Sequence, residues 1–419
     1  MLTSLADLRW MCTAAQEAHM GALLDPDRAL ELVLKHVPAG GTVELPLAEA
    51  LGRTLAEPLL ASCDQPPFAK AMMDGFAVCV TDAGAEVAVG GEVAAGSDVT
   101  AQVSPGVAVE IMTGAPCPPG TEAVVKVEDT ERNGDRVRLP ALIRPSQHLQ
   151  TRGGFCVTGQ EILPAGTLLS SVAVAGVASM GQPTVRVLRA PTVAIITTGD
   201  ELGAPGSDIG EAQIFDSNGP MLTGQAWLAG AREVRRLHAR DSLEALSEAL
   251  EKASDVDVIV LTGGVSMGRY DLVPRAVEVA GGALVFHKVA QRPGKPLLFA
   301  RRRDQLIFGL PGTPLGSHFG FHQFVSVAIR KLMGLSAVRE RRVGTLTEGL
   351  SVRGNRTLFR LARAFRDCDH WRVDPLEWRG SSDLFGPARS NCYLRFPPGE
   401  MRLEAGDEVS FELIDGVDA

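Results

Sequence analysis

The strongest constraint on this chain lies after Pro191, where near-continuous apolar strands alternate with helix-forming sequence. TVAIITTG and DVDVIVLTGG lack the polar alternation of a strand with one wet face. Such runs are buried on both sides, as in a parallel sheet covered by helices. Between them MLTGQAWLAG reads as a helix, EVRRLHAR as a strand and LEALSEALEKA as an amphipathic helix. LVFHKVA, LLFA and LIFGL follow, and then a helix from Pro314 to Met333. Alternation with short loops predicts an open doubly wound α/β domain over residues 190–335.

The 419 residues are too many for one ordinary core. A helix is predicted over residues 26–36, from an acidic start and apolar Ala29, Leu30, Leu32, Val33 and Leu34. Residues 1–60 read as an N-terminal helical and linking segment. It is completed by 150–189, where a turn, a helix over Ser170–Met180 and a strand into Val185–Leu188 give a linking α+β domain. Residues 61–149, punctuated by Pro66-Pro67, Gly90-Gly91 and Pro118-Pro119, read as a small β-rich domain. Residues 340–419 hold the short strands GTLTEGL, LFRLARAF, CYLRFP and DEVSFELI, which suit a small barrel or a sandwich.

Apolar residues at 45% and charged residues at 22% are ordinary for a globular protein. A net charge of −9 argues against a nucleic-acid or membrane-surface binder while leaving room for a local basic pocket. The seven cysteines are scattered singly with no C-x-x-C pair, which disfavours a zinc ribbon and fits a reducing compartment. No signal peptide or apolar run of about 18 residues is present, so a cytoplasmic protein is expected.

In open α/β sheets ligands bind beyond the carboxyl ends of the strands. Three strands end in glycine-rich turns: TTGDEL with Thr198, Gly199, Asp200 and Glu201; LTGGVSMGRYD with Gly263, Gly264, Ser266 and Asp271; and LPGTP with Pro311 and Pro314. Such turns aim backbone N–H groups at an anion, and a helix N-terminus adds positive charge. Glu201 and Asp271 can hold a hard cation such as Mg²⁺. Lys288, Arg292 and Lys295, in HKVAQRPGKP, can neutralise an anionic substrate. Two rival readings are weaker. Gly264–Gly268 matches the G-x-S-x-G nucleophile elbow, with Asp304, His318 and His322 following in order, but a ligand-cradling loop serves equally well. His318 and His322 share a helix face without the glutamate of a zinc motif, and so read as packing residues. Asp74-Gly75 alone reads as turn chemistry.

Taken in order, PPFAKAMMDGFAV, VEIMTGAPCPPGTEAVVKVE, TTGDEL, QIFDSNGPML, LTGGVSMGRYD, VAQRPGKP and LPGTP resemble the molybdopterin molybdenumtransferase family, related to the gephyrin E domain. The resemblance implies a multidomain α/β plus β subunit with a molybdopterin-binding-like domain and a C-terminal β-barrel. It implies a cytoplasmic homodimer with the active site between subunits. It further implies molybdenum insertion from molybdate into adenylated molybdopterin, with Mg²⁺ and release of AMP. Other cofactor-biosynthesis proteins or acceptor molybdoenzymes would be its partners. Position by position, Asp74, Glu201, Asp241 and Asp271 match acidic residues of the family's cleft. Lys288, Arg292 and Lys295 match its basic positions, with Arg292 where lysine is usual. Pro311 and Pro314 match its pocket-shaping loop.

Beyond Arg292, the chain departs from the family pattern at five positions. Arg152 and Gly153 are kept, but Gly154 and Phe155 stand where two acids are usual. Ala71 replaces a serine, and Thr313 and Gly316 replace the asparagine and serine of the last loop. A lost carboxylate removes a cation ligand, and a lost asparagine removes both a donor and an acceptor. A second expectation therefore stands beside the first: a catalytically impaired paralogue that binds molybdopterin or a partner as a scaffold.

Overall fold

The computed structural model describes residues 23–265, 272–337 and 339–414. Two compact units emerge, residues 44–187 and a second made of the N-terminal part together with residues 188–419.

In the first unit, strict two-residue alternation builds a sheet with two dry faces. Its six strands run in the order Ala123–Lys126, Gly75–Val78, Val107–Ile111, Glu86–Val93, Arg136–Arg138 and Glu131–Asn133. Phe76, Val78, Val87 and Val125 pack on one side, whereas Ala77, Cys79, Val109 and Val124 pack on the other. Gly75 is not a turn glycine. It opens a central strand, where an added Cβ would fall 1.9 Å from the Val125 carbonyl oxygen. Apart from this sheet, the strand Leu59–Leu60 pairs with Glu161–Leu163. The helix Ser171–Ser179 is capped by Ser170, whose Oγ accepts from the Ala173 N–H at 3.2 Å.

The second unit contains the doubly wound sheet. Its elements in chain order are α1 (Pro26–His36), β1 (Thr192–Thr198), α2 (Asn218–Ala229), β2 (Glu233–Ala239), α3 (Leu243–Lys252), β3 (Val258–Thr262), α4 (Val273–Val279), β4 (Ala283–His287), β5 (Leu298–Arg302), β6 (Gln305–Leu310), α5 (Pro314–Gly320) and α6 (Ser326–Leu332). The strand order is β2-β1-β3-β6-β5-β4. Val193 and Ile195 of β1 pack on the face covered by Ala29 and Val33 of α1, Leu222 of α2 and Ile329 of α6. Ala194 and Ile196 pack on the opposite face with Leu246 and Leu250 of α3 and Val277 of α4. Each fully buried aliphatic side chain contributes roughly 1.5–3 kcal/mol, which is why the apolar runs occupy the centre.

Five strands, β2, β1, β3, β6 and β4, run in one direction, and β5 alone is reversed, antiparallel to both β6 and β4. Only two residues separate β5 from β6, enough for a hairpin and far too few for a parallel crossover. At the end of the sheet away from the glycine turns, Arg189 grips Asp257 with two hydrogen bonds of 2.9 and 2.7 Å. Asp257 also accepts from the Thr192 N–H and hydroxyl, so the starts of β1 and β3 are locked in register.

The C-terminal strands close into a barrel. β7 (Arg341–Leu346), β8 (Thr357–Asp367), β9 (His370–Pro375), β10 (Cys392–Phe396) and β11 (Glu408–Leu413) pair as β8-β9-β7-β11-β10, and a β8–β10 pairing completes the ring. That pairing decides between the barrel and the sandwich. Among the described residues no helix is long and apolar enough to cross a membrane.

The expected final helix is helical throughout, but a π-helical turn, Phe321–Val325, separates α5 from α6. His322 is buried and His318 half-buried here against Tyr393, with His318 Nδ1 2.7 Å from the tyrosine hydroxyl. Burial, followed by the nearby Arg339 charge, holds His318 down to about 4 and His322 well below its ordinary value. The unfolded chain protonates its histidines below about pH 6.5. Stability is therefore intact above that pH and is lost as pH falls towards 4. His318 alone should cost about 2 kcal/mol at pH 5 relative to pH 7.5. Urea midpoints at the two pH values measure this, and a His318→Gln variant should show a smaller drop. Equal drops in wild type and variant would refute the assignment.

Candidate functional site

The three glycine-rich strand ends meet at one cavity of about 820 Å³. Thr198 and Gly199 follow β1, Gly263 and Gly264 follow β3, and Pro311 and Pro314 follow β6. All of them line it. Their close approach demands glycine. Gly263 has φ +102°, and an added Cβ would lie 2.6 Å from the Thr198 carbonyl oxygen. At Gly199 the same atom would lie 2.6 Å from a Glu201 carboxylate oxygen, so that carboxylate folds back over the end of β1.

The cavity is bipolar. On the β1 side stand Glu201, Asp216 and Asp241. Thr198 donates its hydroxyl hydrogen to Asp241. Two carboxylates thus flank consecutive residues, Thr198 and Gly199. Asp216 is buried and committed elsewhere: it accepts from the Gly219 N–H at 2.8 Å and from Arg236 at 3.2 Å, which anchors the start of α2. On the opposite side stand Arg292, Lys295 and Arg356. Lys295 follows Gly294, at φ +81°, and precedes Pro296. The Arg292 guanidinium lies 5.1 Å from the Trp378 ring centre, and Arg356 donates to the Gln291 carbonyl at 3.1 Å. The barrel supplies Arg356, Trp378, Gly380 and Ser381 to the wall, and the Leu315 N–H donates to the Ser381 carbonyl at 3.1 Å.

Two predicted residues, Ser266 and Asp271, lie outside the described residues. Lys288 is not in the cavity lining. Its N–H donates to the Leu297 carbonyl at 2.8 Å, and its carbonyl accepts from the Leu24 N–H at 3.4 Å. Asp74 belongs to the first unit, where it accepts from the Thr113 N–H at 2.6 Å and hydroxyl at 2.7 Å. Those bonds, the backbone one first, hold its carboxyl below the usual range.

Asp216, Asn218, Gln291, Arg356 and Trp378 were not singled out from sequence. Asp216 and Asn218 had a signal, since D-S-N-G before a helix is capping sequence. Arg356 and Trp378 had none, because only barrel closure brings them to the sheet.

A hard cation is a chemical fit here. Glu201 and Asp241 supply only oxygen, and Mg²⁺ takes one or two carboxylates with substrate phosphates completing its shell. Among the described residues, which leave out Asp271, no three side chains of metal-ligating type converge. The altered last loop is internally consistent: an added Cβ at Gly316 would fall 2.8 Å from Thr313 Oγ1 and 3.0 Å from Pro311, so the two substitutions are sterically coupled.

Three family models match the chain in order. They are the MoeA N-terminal region (domain I and II) over residues 24–181, a probable molybdopterin binding domain over 194–331, and the MoeA C-terminal region (domain IV) over 343–414. The second contains all three glycine-rich strand ends. A molybdopterin molybdenumtransferase of Staphylococcus epidermidis is 31% identical over 92% of this chain and 94% of its own length. One from Staphylococcus aureus is 30% identical with the same coverage. The crystal structure of the molybdopterin biosynthesis MoeA protein from Pyrococcus horikosii superposes with a TM-score of 0.83, at 28% identity, over 94% of this chain and all of that one. With relatives of that identity spanning nearly its whole length, this chain belongs to the molybdopterin molybdenumtransferase family of molybdenum cofactor biosynthesis.

Proposed function

We propose that the cavity binds adenylated molybdopterin and molybdate, and that the protein inserts molybdenum into the pterin with release of AMP. The bipolar lining carries this reading: cations on one wall for phosphate and oxyanion, carboxylates on the other for the divalent ion that accompanies a phosphoanhydride. Arg292, Lys295 and Arg356 neutralise the anionic groups, and the turns at Gly199, Gly263 and Gly264 let the backbone approach them closely. Arg356 takes the role expected of Lys288. Glu201 and Asp241 would hold Mg²⁺, which when bound offsets charge on the phosphoanhydride. Catalysis is then mostly positioning and charge neutralisation. The same reading makes the protein a cytoplasmic homodimer in which Asp74 of one subunit serves the cleft of the other. Asp271 joins the cation ligands, Ser266 the phosphate loop, and cofactor-biosynthesis proteins or acceptor molybdoenzymes are its partners.

The test is to incubate the purified protein with adenylated molybdopterin, Mg²⁺ and molybdate and to follow AMP. Glu201→Gln and Asp241→Asn should each slow release about 100-fold or more while substrate affinity changes only a few-fold. AMP release unaffected by both substitutions would rule out this site.

One observation favours the scaffold reading as the alternative. Phe155 is 68% exposed, with the Lys70 ammonium 5.9 Å from its ring centre, where an acid is usual. The segment is tightly built: the Phe155 N–H donates to the Gln65 carbonyl at 2.8 Å, and an added Cβ at Gly154 would lie 2.2 Å from the Gln150 amide nitrogen. A carboxylate at 155 is therefore the better-accommodated restoration, and it meets Lys70. If the wild type binds substrate without releasing AMP, Phe155→Asp should raise release by about tenfold or more. Full release by the wild type would dispose of the scaffold reading.

A further inference from the structure

The loop between β6 and α5 is held from the core side by two buried hydroxyls. Thr262, the last residue of β3, pairs with Leu310 in the sheet and is 2% exposed. Ser317 of α5 is fully buried, and its N–H donates to the Thr313 carbonyl at 2.9 Å. Sheet register thus places one hydroxyl and a helical turn places the other. Their oxygens lie 2.7 Å apart, and both reach the Pro311 carbonyl, Thr262 Oγ1 at 3.0 Å and Ser317 Oγ more closely. Asn218 Nδ2 donates to Thr262 Oγ1 at 3.0 Å and to the Gly312 carbonyl at 2.8 Å. A hydroxyl has one hydrogen to give and two sites to accept. Two arrangements therefore satisfy the trio: Thr262 donates to Ser317 and Ser317 to Pro311, or Ser317 donates to Thr262 and Thr262 to Pro311. In either, the Pro311 carbonyl keeps a donor and Thr262 still accepts from Asn218. The support is redundant, because each hydroxyl reaches that carbonyl without the other.

The carbonyls of Pro311 and Gly312 are both drawn to these buried donors. In a trans peptide the N–H points opposite to the C=O, so the N–H groups of Gly312 and Thr313 point away from them. Gly312 itself is exposed on the cavity wall, and a Cβ built on it would lie 3.4 Å from Gly263 Cα. Reversal of either peptide would turn a carbonyl oxygen, with its partial negative charge, towards an anion in the cavity. We propose that Thr262 and Ser317 are a redundant pair of positioning residues: either hydroxyl keeps the Pro311–Gly312 peptide in the orientation that an anion in the cavity needs, and loss of both releases it. This rests on the reading of the cavity as the site of molybdenum insertion and adds what sets the polarity of the LPGTP loop.

The experiment compares AMP release by the full-length wild type, Thr262→Val, Ser317→Ala, Thr262→Val/Ser317→Ala and Thr262→Ser/Ser317→Ala, all below their thermal midpoints. Each single variant should stay within about threefold of the wild type, whereas Thr262→Val/Ser317→Ala should lose about 50-fold or more, beyond the product of the two. Valine keeps the shape of threonine without its hydroxyl, and serine keeps the hydroxyl without the methyl. Thr262→Ser/Ser317→Ala should therefore return to within about threefold of the wild type; a packing role would give the reverse order. Should Thr262→Val/Ser317→Ala not fold, Thr262→Val/Ser317→Cys, with a weakly donating thiol of similar size, takes its place and should lose about 20-fold or more. A loss no greater than the product of the singles, or no recovery with serine, would overturn the proposal. If the wild type releases no AMP, the enzymatic reading fails by itself, and isothermal titration with inorganic pyrophosphate and Mg²⁺ decides the positioning role. The doubly hydroxyl-free variant should then bind pyrophosphate about tenfold or more weakly than the wild type, with serine at 262 restoring affinity. Equal affinities, or no measurable binding by the wild type, would overturn the proposal as well.

Discussion

The two-sided burial of β1 and β3 is the constraint from which the rest follows. Val193 and Ile195 need cover on one face, Ala194 and Ile196 on the other. Helices on both sides are the means of providing it, and connecting them keeps the strands parallel with all their carboxyl ends on one edge. The Arg189–Asp257–Thr192 cluster locks the opposite edge. With register fixed there, the far ends of β1, β3 and β6 arrive level, and the glycines after them can approach closely enough to leave a cavity. The site is a geometric product of the core.

Electrostatics divides that cavity without a buried ion pair across it. Glu201 is tucked over Gly199 and Asp241 is tied to Thr198, whereas Arg292 stacks on Trp378 and Arg356 is held by a backbone carbonyl. Each of these four charged groups is positioned by a neutral neighbour. Carboxylates and cations bound to one another would neutralise the wall a substrate needs. Arg292 and Lys295 are both exposed, so solvent screens their mutual repulsion until a ligand displaces it.

What the sequence made legible was whatever depends on local periodicity. The apolar runs predicted β1 and β3, the acidic start predicted α1, and the glycine-rich turns predicted the strand ends. What it concealed depends on closure. Arg356 and Trp378 reach the cavity because β8 pairs with β10 and the short strand Gln291–Arg292 pairs with Thr357–Leu358, contacts across scores of residues that leave no local pattern. Asp216 was hidden for the opposite reason: its pattern is that of an ordinary cap, and the same carboxylate both anchors α2 and faces the cavity. Lys288 looked functional by charge and spacing, yet its positive φ of +80° belongs to a bend whose backbone is engaged by Leu24 and Leu297.

The departures from the family pattern sort themselves by the same physics. Thr313 and Gly316 are coupled: with a threonine side chain at 313, the Cβ of any larger residue at 316 would crowd both Thr313 Oγ1 and Pro311. Meanwhile Ser317 supplies a hydroxyl 2.7 Å from Thr262 Oγ1, in the network that also holds Asn218. A polar link between the β3 end and the LPGTP loop is thus preserved by different atoms, and the loop keeps its shape. Phe155 has no such compensation. No carboxylate in its segment replaces the lost one, since Asp64, the acid engaged there, is occupied by Arg152 and Thr158. A substitution with a structural counterpart preserves the shape of the loop, whereas the one at 154–155 leaves a local change of chemistry, an exposed aromatic ring beside Lys70 where an acid is usual.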